Sequence, residues 1–207
     1  MQTMTRRALG LAGVAVMLTA SAVWAQQAPP VRVRGTIEKV DGNTLTVKSR
    51  SGETLTVKLA EPPRIAAMVK ASLDDIKEGA FVGVSGMPQP DGTQRAFAIH
   101  IFMDSQRGVV ADRFDPNWDN RPGASMTNAN VATTVAGKDG QDLLVKYKDG
   151  EKKVAVPPGT PIARTVPGTA ADIKVGAKVF VGGARKQDDG TLLAPNITVG
   201  RDVDPPQ

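Results

Sequence analysis

Cysteine is absent from the 207 residues. That excludes disulfides, thiolate zinc sites, cysteine nucleophiles and lipoprotein acylation. Histidine occurs once, at His100, so no multi-histidine metal site exists and any catalytic dyad has to use that imidazole. Aromatic residues make up 4% of the chain, against 21 glycines and 15 prolines, which favours a turn-rich β protein with a light core. No P-loop, G-x-G-x-x-G or zinc motif is present. The charge excess is also small. It is +5 over the whole chain and falls to +3 without residues 1–25, which carry Arg6 and Arg7 and no acid. A nucleic-acid partner is therefore not expected.

What is present begins with an export signature. Arg6-Arg7 precede an uncharged, mostly apolar run from Ala8 to Ala20, and Val23-Trp24-Ala25 sets small residues at the −3 and −1 positions of a cleavage site. This predicts a signal peptide over residues 1–25 with cleavage between Ala25 and Gln26. Thr5-Arg6-Arg7-Ala8-Leu9 also fits a twin-arginine address, so the route is Sec or twin-arginine. The expected location is the periplasm or the exterior. No other segment approaches 18 apolar residues, so no membrane span is expected after the signal is removed.

The mature chain repeats itself at a period of 97–98 residues. Asp75-Ile76-Lys77-Glu78-Gly79-Ala80-Phe81-Val82-Gly83-Val84 matches Asp172-Ile173-Lys174-Val175-Gly176-Ala177-Lys178-Val179-Phe180-Val181. Asp91-Gly92-Thr93 matches Asp189-Gly190-Thr191, and Leu45-Thr46-Val47-Lys48 matches Leu143-Leu144-Val145-Lys146. In each copy, period-2 alternation marks strands with one buried face: Leu45 and Val47, then Leu55, Val57 and Leu59, then Val82 and Val84. Strand 5 is expected to turn Phe97, Ile99 and Ile101 inward. Asp41-Gly42 reads as a hairpin turn. Ser72 and Asp75 have capping-box spacing, as do Thr169 and Asp172, and Gly79 and Gly176 can stop a short helix in a left-handed conformation.

The expected fold is all-β: two tandem, small, OB-like five-stranded barrels, each with a short helix between strands 3 and 4. Residues 31–103 form the first unit and 125–200 the second. Residues 104–124, containing Pro, Asp and Trp, form a linker, and 201–207 form a disordered tail.

At the string Asp75-Ile76-Lys77-x-Gly79-x-x-Val82-x-Val84-x-Gly86 the chain resembles an exported bacterial family called domain of unknown function 5666, with Asp41-Gly42-Asn43-Thr44-Leu45-Thr46-Val47 strengthening the match in the first unit. The resemblance implies a small OB-like barrel in an exported protein. Its motifs are turn and core residues, which specify a fold and not an active site. The linker string Trp118-Asp119, Pro122, Ser125-Met126-Thr127-Asn128-Ala129 resembles similar exported proteins, some of which carry the label metal ABC transporter permease. Permeases need several membrane-spanning helices, so at most the label implies an association with metal uptake.

Three constellations remain. His100 alternates with Phe97, Ile99 and Ile101, which places it on the solvent side of a strand. Ser85 lies in Gly83-Val84-Ser85-Gly86, which lacks the spacing of a nucleophile elbow, so no catalytic residue and no enzyme activity is expected. Asp104, Asp112, Asp115 and Asp119 suit a hard divalent cation, with Asp115 and Asp119 the candidate ligands, although Arg107, Arg113 and Arg121 are interleaved. No other cofactor is implied. A ligand surface is expected where Trp118 and Asp119 meet Ser125, Met126, Thr127 and Asn128, because binding groups concentrate in long loops. The expected function is a non-enzymatic binding or adaptor protein whose partner is an envelope protein or a glycan. The alternative is a divalent-cation-binding protein tied to metal uptake.

Overall fold

A computed structural model describes residues 29–116, 121–137 and 140–205. The expected cleavage site at Ala25 and Gln26 lies outside them, as do Trp118 and Asp119. Twelve strands run through the described residues: β1 (Val31–Asp41), β2 (Thr44–Ser49), β3 (Thr54–Ala71), β4 (Phe81–Pro88), β5 (Gln94–Ile101), β6 (Arg113–Asp115), β7 (Ser125–Gly137), β8 (Gly140–Tyr147), β9 (Gly150–Val156), β10 (Ile162–Pro167), β11 (Lys178–Lys186) and β12 (Leu192–Gly200). The all-β expectation holds. The short helices reduce to single 3-10 turns, Leu73–Asp75 and Ala170–Asp172, each held by the predicted box. The Ser72 N–H donates to Asp75 Oδ2 at 2.8 Å, and the Thr169 N–H to Asp172 Oδ2 at 2.8 Å. Gly79 and Gly176 follow with φ of 77° and 84°, a region L side chains avoid.

Strand pairing closes two five-stranded rings, but neither is made from one repeat. The first ring runs β12-β11-β1-β2-β3 and returns to β12; the second runs β5-β4-β7-β8-β9 and returns to β5. Each ring therefore takes three strands from one repeat and a hairpin from the other. This corrects the tandem arrangement expected for 31–103 and 125–200. The two cores follow the same division. Val33, Ile37, Leu45, Val47, Val57 and Leu59 pack with Val179, Val181, Ala194, Ile197 and Val199. Val82, Val84, Ile99 and Ile101 pack with Val131, Leu143, Val145, Val154 and Val156.

The exchange follows from β3. At 18 residues it outruns a ring. Its first part pairs with β2, from Thr54 opposite Lys48 to Lys58 opposite Thr44. Its last part pairs antiparallel with β10, from Ala66 opposite Pro167 to Ala71 opposite Ile162. Met68 opposes Thr165, its own counterpart at the repeat spacing, so a local pseudo-twofold axis passes through this pair. The turns cross as well: the Gly79 N–H donates to the Val131 carbonyl and the Gly176 N–H to the Ile37 carbonyl, both at 2.8 Å.

Val131 is thus the counterpart of Ile37, a spacing of 94 and not 98. Both lie beside a register shift, Ile37 opposite Val47 and Val131 opposite Val145. The β7–β8 hairpin is the longer by two residues on each strand, which hides the alignment of the first strands in the sequence. In β5, a bulge opposite Ser85 and Gly86 shifts the phase, so Ala96 enters the core and Phe97 stays outside it. The hairpin loop after β1 is Gly42-Asn43, one residue later than expected. Within the expected linker, β6 pairs with β7, and a 3-10 turn spans Asp104–Gln106.

The tail is docked where it is described, through Pro205. The Arg201 guanidinium grips both carboxylate oxygens of Asp172 at 2.9 and 3.0 Å, Asp202 accepts from the Lys70 N–H at 3.0 Å, and Pro205 is buried.

One asymmetry between the rings identifies which hairpin belongs where. Gln94, 1% exposed, donates to the Ser125 carbonyl at 3.1 Å and to Ser125 Oγ at 3.0 Å, and accepts from Thr127 Oγ1 at 2.8 Å. The counterparts of Gln94 and Thr127 in the first ring are Leu192 and Val33, both buried. Docked in the wrong ring, Gln94 would meet apolar side chains and bury its amide unpaired, which costs ~1–3 kcal/mol. Gln94→Leu is expected to lower stability by a similar ~1–3 kcal/mol in chemical denaturation, because Thr127 then loses its acceptor. Adding Thr127→Val should recover most of the loss; no recovery would show that the amide matters only for its shape.

The Asp172 carboxyl is held down to about 2, first by the Arg201 guanidinium and then by the Thr169 N–H. A depressed carboxyl stabilises the fold above its unfolded value, and that contribution is lost as pH falls from about 4 towards 2. Arg201→Ala should therefore lower the melting temperature at pH 7 more than at pH 2.

Candidate functional site

Exchanging the hairpins leaves a groove between the rings. Its floor is the β3–β10 pair, lined by Ala66, Ala163 and the buried Met68, and its walls are the outer faces of β4–β5 and β11–β12. Strand alternation decides what faces it. Val82, Val84, Ile99 and Ile101 point into the second ring, so Gly83, Ser85, Ala98 and His100 point out. On β7, Thr127 and Ala129 are buried inside the ring, leaving Met126 and Asn128 outside it.

Two cavities meet in this groove, of about 470 Å³ and 500 Å³, and both are lined by His100 and Met126. The first extends past Met68, Phe97 and Arg121 to the docked Pro205. The second extends past Phe102 and Asn128 to Phe180, Asn196 and Thr198 of the other ring, under Gln106–Val110. Both repeats therefore contribute to the second cavity.

His100 does not face open solvent, as an isolated barrel would require. It is half-buried, its Nε2 is hydrogen-bonded to Thr165 Oγ1, and its ring lies 4.3 Å from that of Phe102. Burial lowers its pKa to about 4, so the imidazole is neutral at physiological pH. Ser85 lines the same cavity, but its hydroxyl donates to Met126 Sδ at 3.6 Å and makes no hydrogen bond with His100. The Phe102 ring is seated on Gly83, where an added Cβ would lie 3.0 Å from it. Arg121 lies over the Phe97 ring at 3.9 Å, and Arg107 binds Asn130 Oδ1 and the Gly79 carbonyl. Arg121 thereby ties one described end of the linker to the groove, and Arg107 ties the other to the second ring.

Asn128 Nδ2 donates to the Ala111 carbonyl at 3.1 Å, while its Oδ1 is buried with no partner. An orphaned acceptor lining a cavity is the group a ligand donor would satisfy. The aliphatic and aromatic lining, with few polar groups, suits a small or extended molecule with an apolar body.

Of the sequence candidates, Met126 and Asn128 line the groove. Ser125 and Thr127 do not: both are fully buried and bonded to Gln94. Asp115 pairs with Arg113 at 3.2 Å and Asp104 with Arg107 at 3.1 Å. Among the described residues, no group of three or more His, Asp or Glu is placed to hold a metal ion, and no helix is long and apolar enough to cross a membrane. The residues missed from sequence are Met68, Phe102 and Thr165. Nothing local marks Met68 and Thr165, which reach the groove only through β3 and β10, whereas Phe102 follows His100 by two residues in the chain.

No curated protein and no solved structure matches the chain. A family model does match, over residues 34–100, which run from within β1 to within β5. Those five strands do not close on one another here, since β1–β3 lie in one ring and β4–β5 in the other. The family is described as Domain of unknown function (DUF5666), and it is over this first repeat that the chain is similar to it.

Proposed function

We propose that the protein is an exported, non-enzymatic binding module that holds a ligand in the groove between two OB-like barrels. The ring order, with strands 1-2-3 closed by strands 5 and 4 of the other repeat, supports the OB-like reading. The observation that carries the binding reading is the pair of cavities joined at His100 and Met126, with the orphaned Asn128 Oδ1 on the wall of one. Ser85 donates to a thioether and not to His100, so it has no base beside it, which supports the non-enzymatic reading. Export rests on the N-terminal pattern ending at Ala25. In the envelope such a module carries a small ligand or the extended segment of a protein or glycan partner.

The test is native mass spectrometry of the full-length gene product, gently purified from the periplasmic fraction. Its N-terminus should be Gln26, and it should carry a bound mass. Ala98→Phe fills the first cavity from an outward position on β5. It should abolish the bound mass while shifting the melting temperature by less than about 4 °C, the effect of ~1 kcal/mol in a protein of this size. A wild-type chain with no adduct, an adduct that survives Ala98→Phe, or an uncleaved chain in the cytoplasm would contradict the reading.

A further inference from the structure

Five described residues follow β12, from Arg201 to Pro205, and they turn back onto the groove. At the repeat spacing Gly200 is the counterpart of Phe102, as Ile197 is of Ile99. In the second ring the Phe102 ring covers the bare backbone of Gly83. In the first ring Gly200 has no side chain to offer, and the chain doubles back over it instead. An added Cβ at Gly200 would overlap the Val203 carbonyl and lie 2.9 Å from Pro205 Cδ. Val203, Asp204 and Pro205 thereby join the lining of the first cavity, alongside Met68, Phe97 and His100.

This segment is held differently from the strands. The Arg201 N–H donates to the Met68 carbonyl at 3.0 Å, which extends the β12–β3 pairing by one bond. Further ties run through charged side chains: Arg201 to Asp172 at 2.9 and 3.0 Å, Asp202 to the Lys70 N–H at 3.0 Å, and Asp204 to Lys178 at 2.5 Å. The side chains of Arg201, Lys178 and Asp204 are half-exposed, and ion pairs between such groups are individually weak. Pro205 is buried, but proline has no backbone N–H that release would leave without a partner. Segments held by solvent-exposed ties open more readily than the strands of a closed ring. The equivalent segment after β5 is fastened in another way. It forms the 3-10 turn Asp104–Gln106, and Arg107 binds Asn130 and the Gly79 carbonyl.

Resting on the binding reading above, we propose that residues 201–205 are a self-docked strap that closes the first cavity and competes with its ligand. With the strap seated, Val203 and Pro205 cover apolar surface that a ligand body would contact. With the strap released, a ligand takes the place of Pro205. Docking and ligand entry then exclude one another, so a change that loosens the strap raises apparent affinity in proportion to the fraction of chains it opens. The competing role is a brace, which stabilises the fold and leaves affinity unchanged.

The test uses 8-anilinonaphthalene-1-sulfonate, a fluorescent aromatic anion, as the probe, since Phe97 and Arg121 line the first cavity. Ala98→Phe defines the part of the signal that comes from the groove. Arg201→Ala combined with Lys178→Glu cuts two ties and changes no residue lining either cavity. It should raise groove affinity for the probe at least threefold. Deleting residues 201–207 should raise it at least tenfold. A synthetic peptide of residues 200–207 should displace the probe from the deleted chain at millimolar concentration, the scale on which a tethered segment acts. Should the deleted chain fail to fold, the double variant decides. A lower melting temperature with unchanged probe affinity would show a brace and overturn the proposal, as would a rise that survives Ala98→Phe or the absence of groove signal from every chain. If affinities are equal while the native protein keeps its bound mass, the binding reading stands and the strap falls.

Discussion

A three-stranded segment curved into part of a ring leaves two unpaired edges, and here each repeat supplies the pair of strands that closes the other. The edges of β1 and β3 are met by β11 and β12, and those of β7 and β9 by β4 and β5. The cause is the length of β3. Eighteen residues at about 3.3 Å each carry the chain ~60 Å, well past the ring it started in. The antiparallel pairing of its far end with β10 commits the following hairpin to the second ring. β10 does the same in reverse for β11–β12. Ring closure, the central pseudo-twofold and the groove all follow from that one pairing.

Local patterns in the sequence predict local structure well. Alternation marks Leu45, Val47, Val57, Leu59, Val82 and Val84 as core, and all are buried. The Ser72–Asp75 and Thr169–Asp172 boxes and the left-handed glycines at 79 and 176 are where spacing puts them. The partner of each strand is a different matter. Two similar repeats present nearly the same edges, so alternation cannot say whether Val82 packs with Ile37 or with Val131. Residues 60–71 conceal the crossing, since Pro62-Pro63 interrupts the alternation and Ala66-Ala67-Met68-Val69 shows no two-residue period. The one sequence sign of the exchange is the buried polar set Gln94, Ser125 and Thr127, which joins β5 of one repeat to β7 of the other. The string containing Ser125 and Thr127 reads as a surface loop until that pairing is known.

The candidate site was legible to the same extent. Met126 and Asn128 belong to it by virtue of their place beside the linker. His100 is on the outward face of its strand, as alternation says, yet outward here means towards Thr165 on the bridging strand and under Phe102. A position that would be solvated on a single barrel becomes a half-buried, neutral imidazole in a seam. The groove is therefore a property of the exchange, and a single repeat closed on itself would not possess it.

That dependence makes the topology the claim to test, and the absence of cysteine makes the test clean. Arg32 on β1 opposes Gly182 on β11; the counterpart of Gly182 in the first repeat is Ser85. Opposed antiparallel positions have Cα atoms about 4.5–5.5 Å apart, within disulfide reach. Under mild oxidation the Arg32→Cys/Gly182→Cys chain should close an intrachain disulfide as a monomer, and the Arg32→Cys/Ser85→Cys chain should not. Closure of the second pair and not the first would mean that each repeat forms its own barrel, and the groove between exchanged hairpins would not exist.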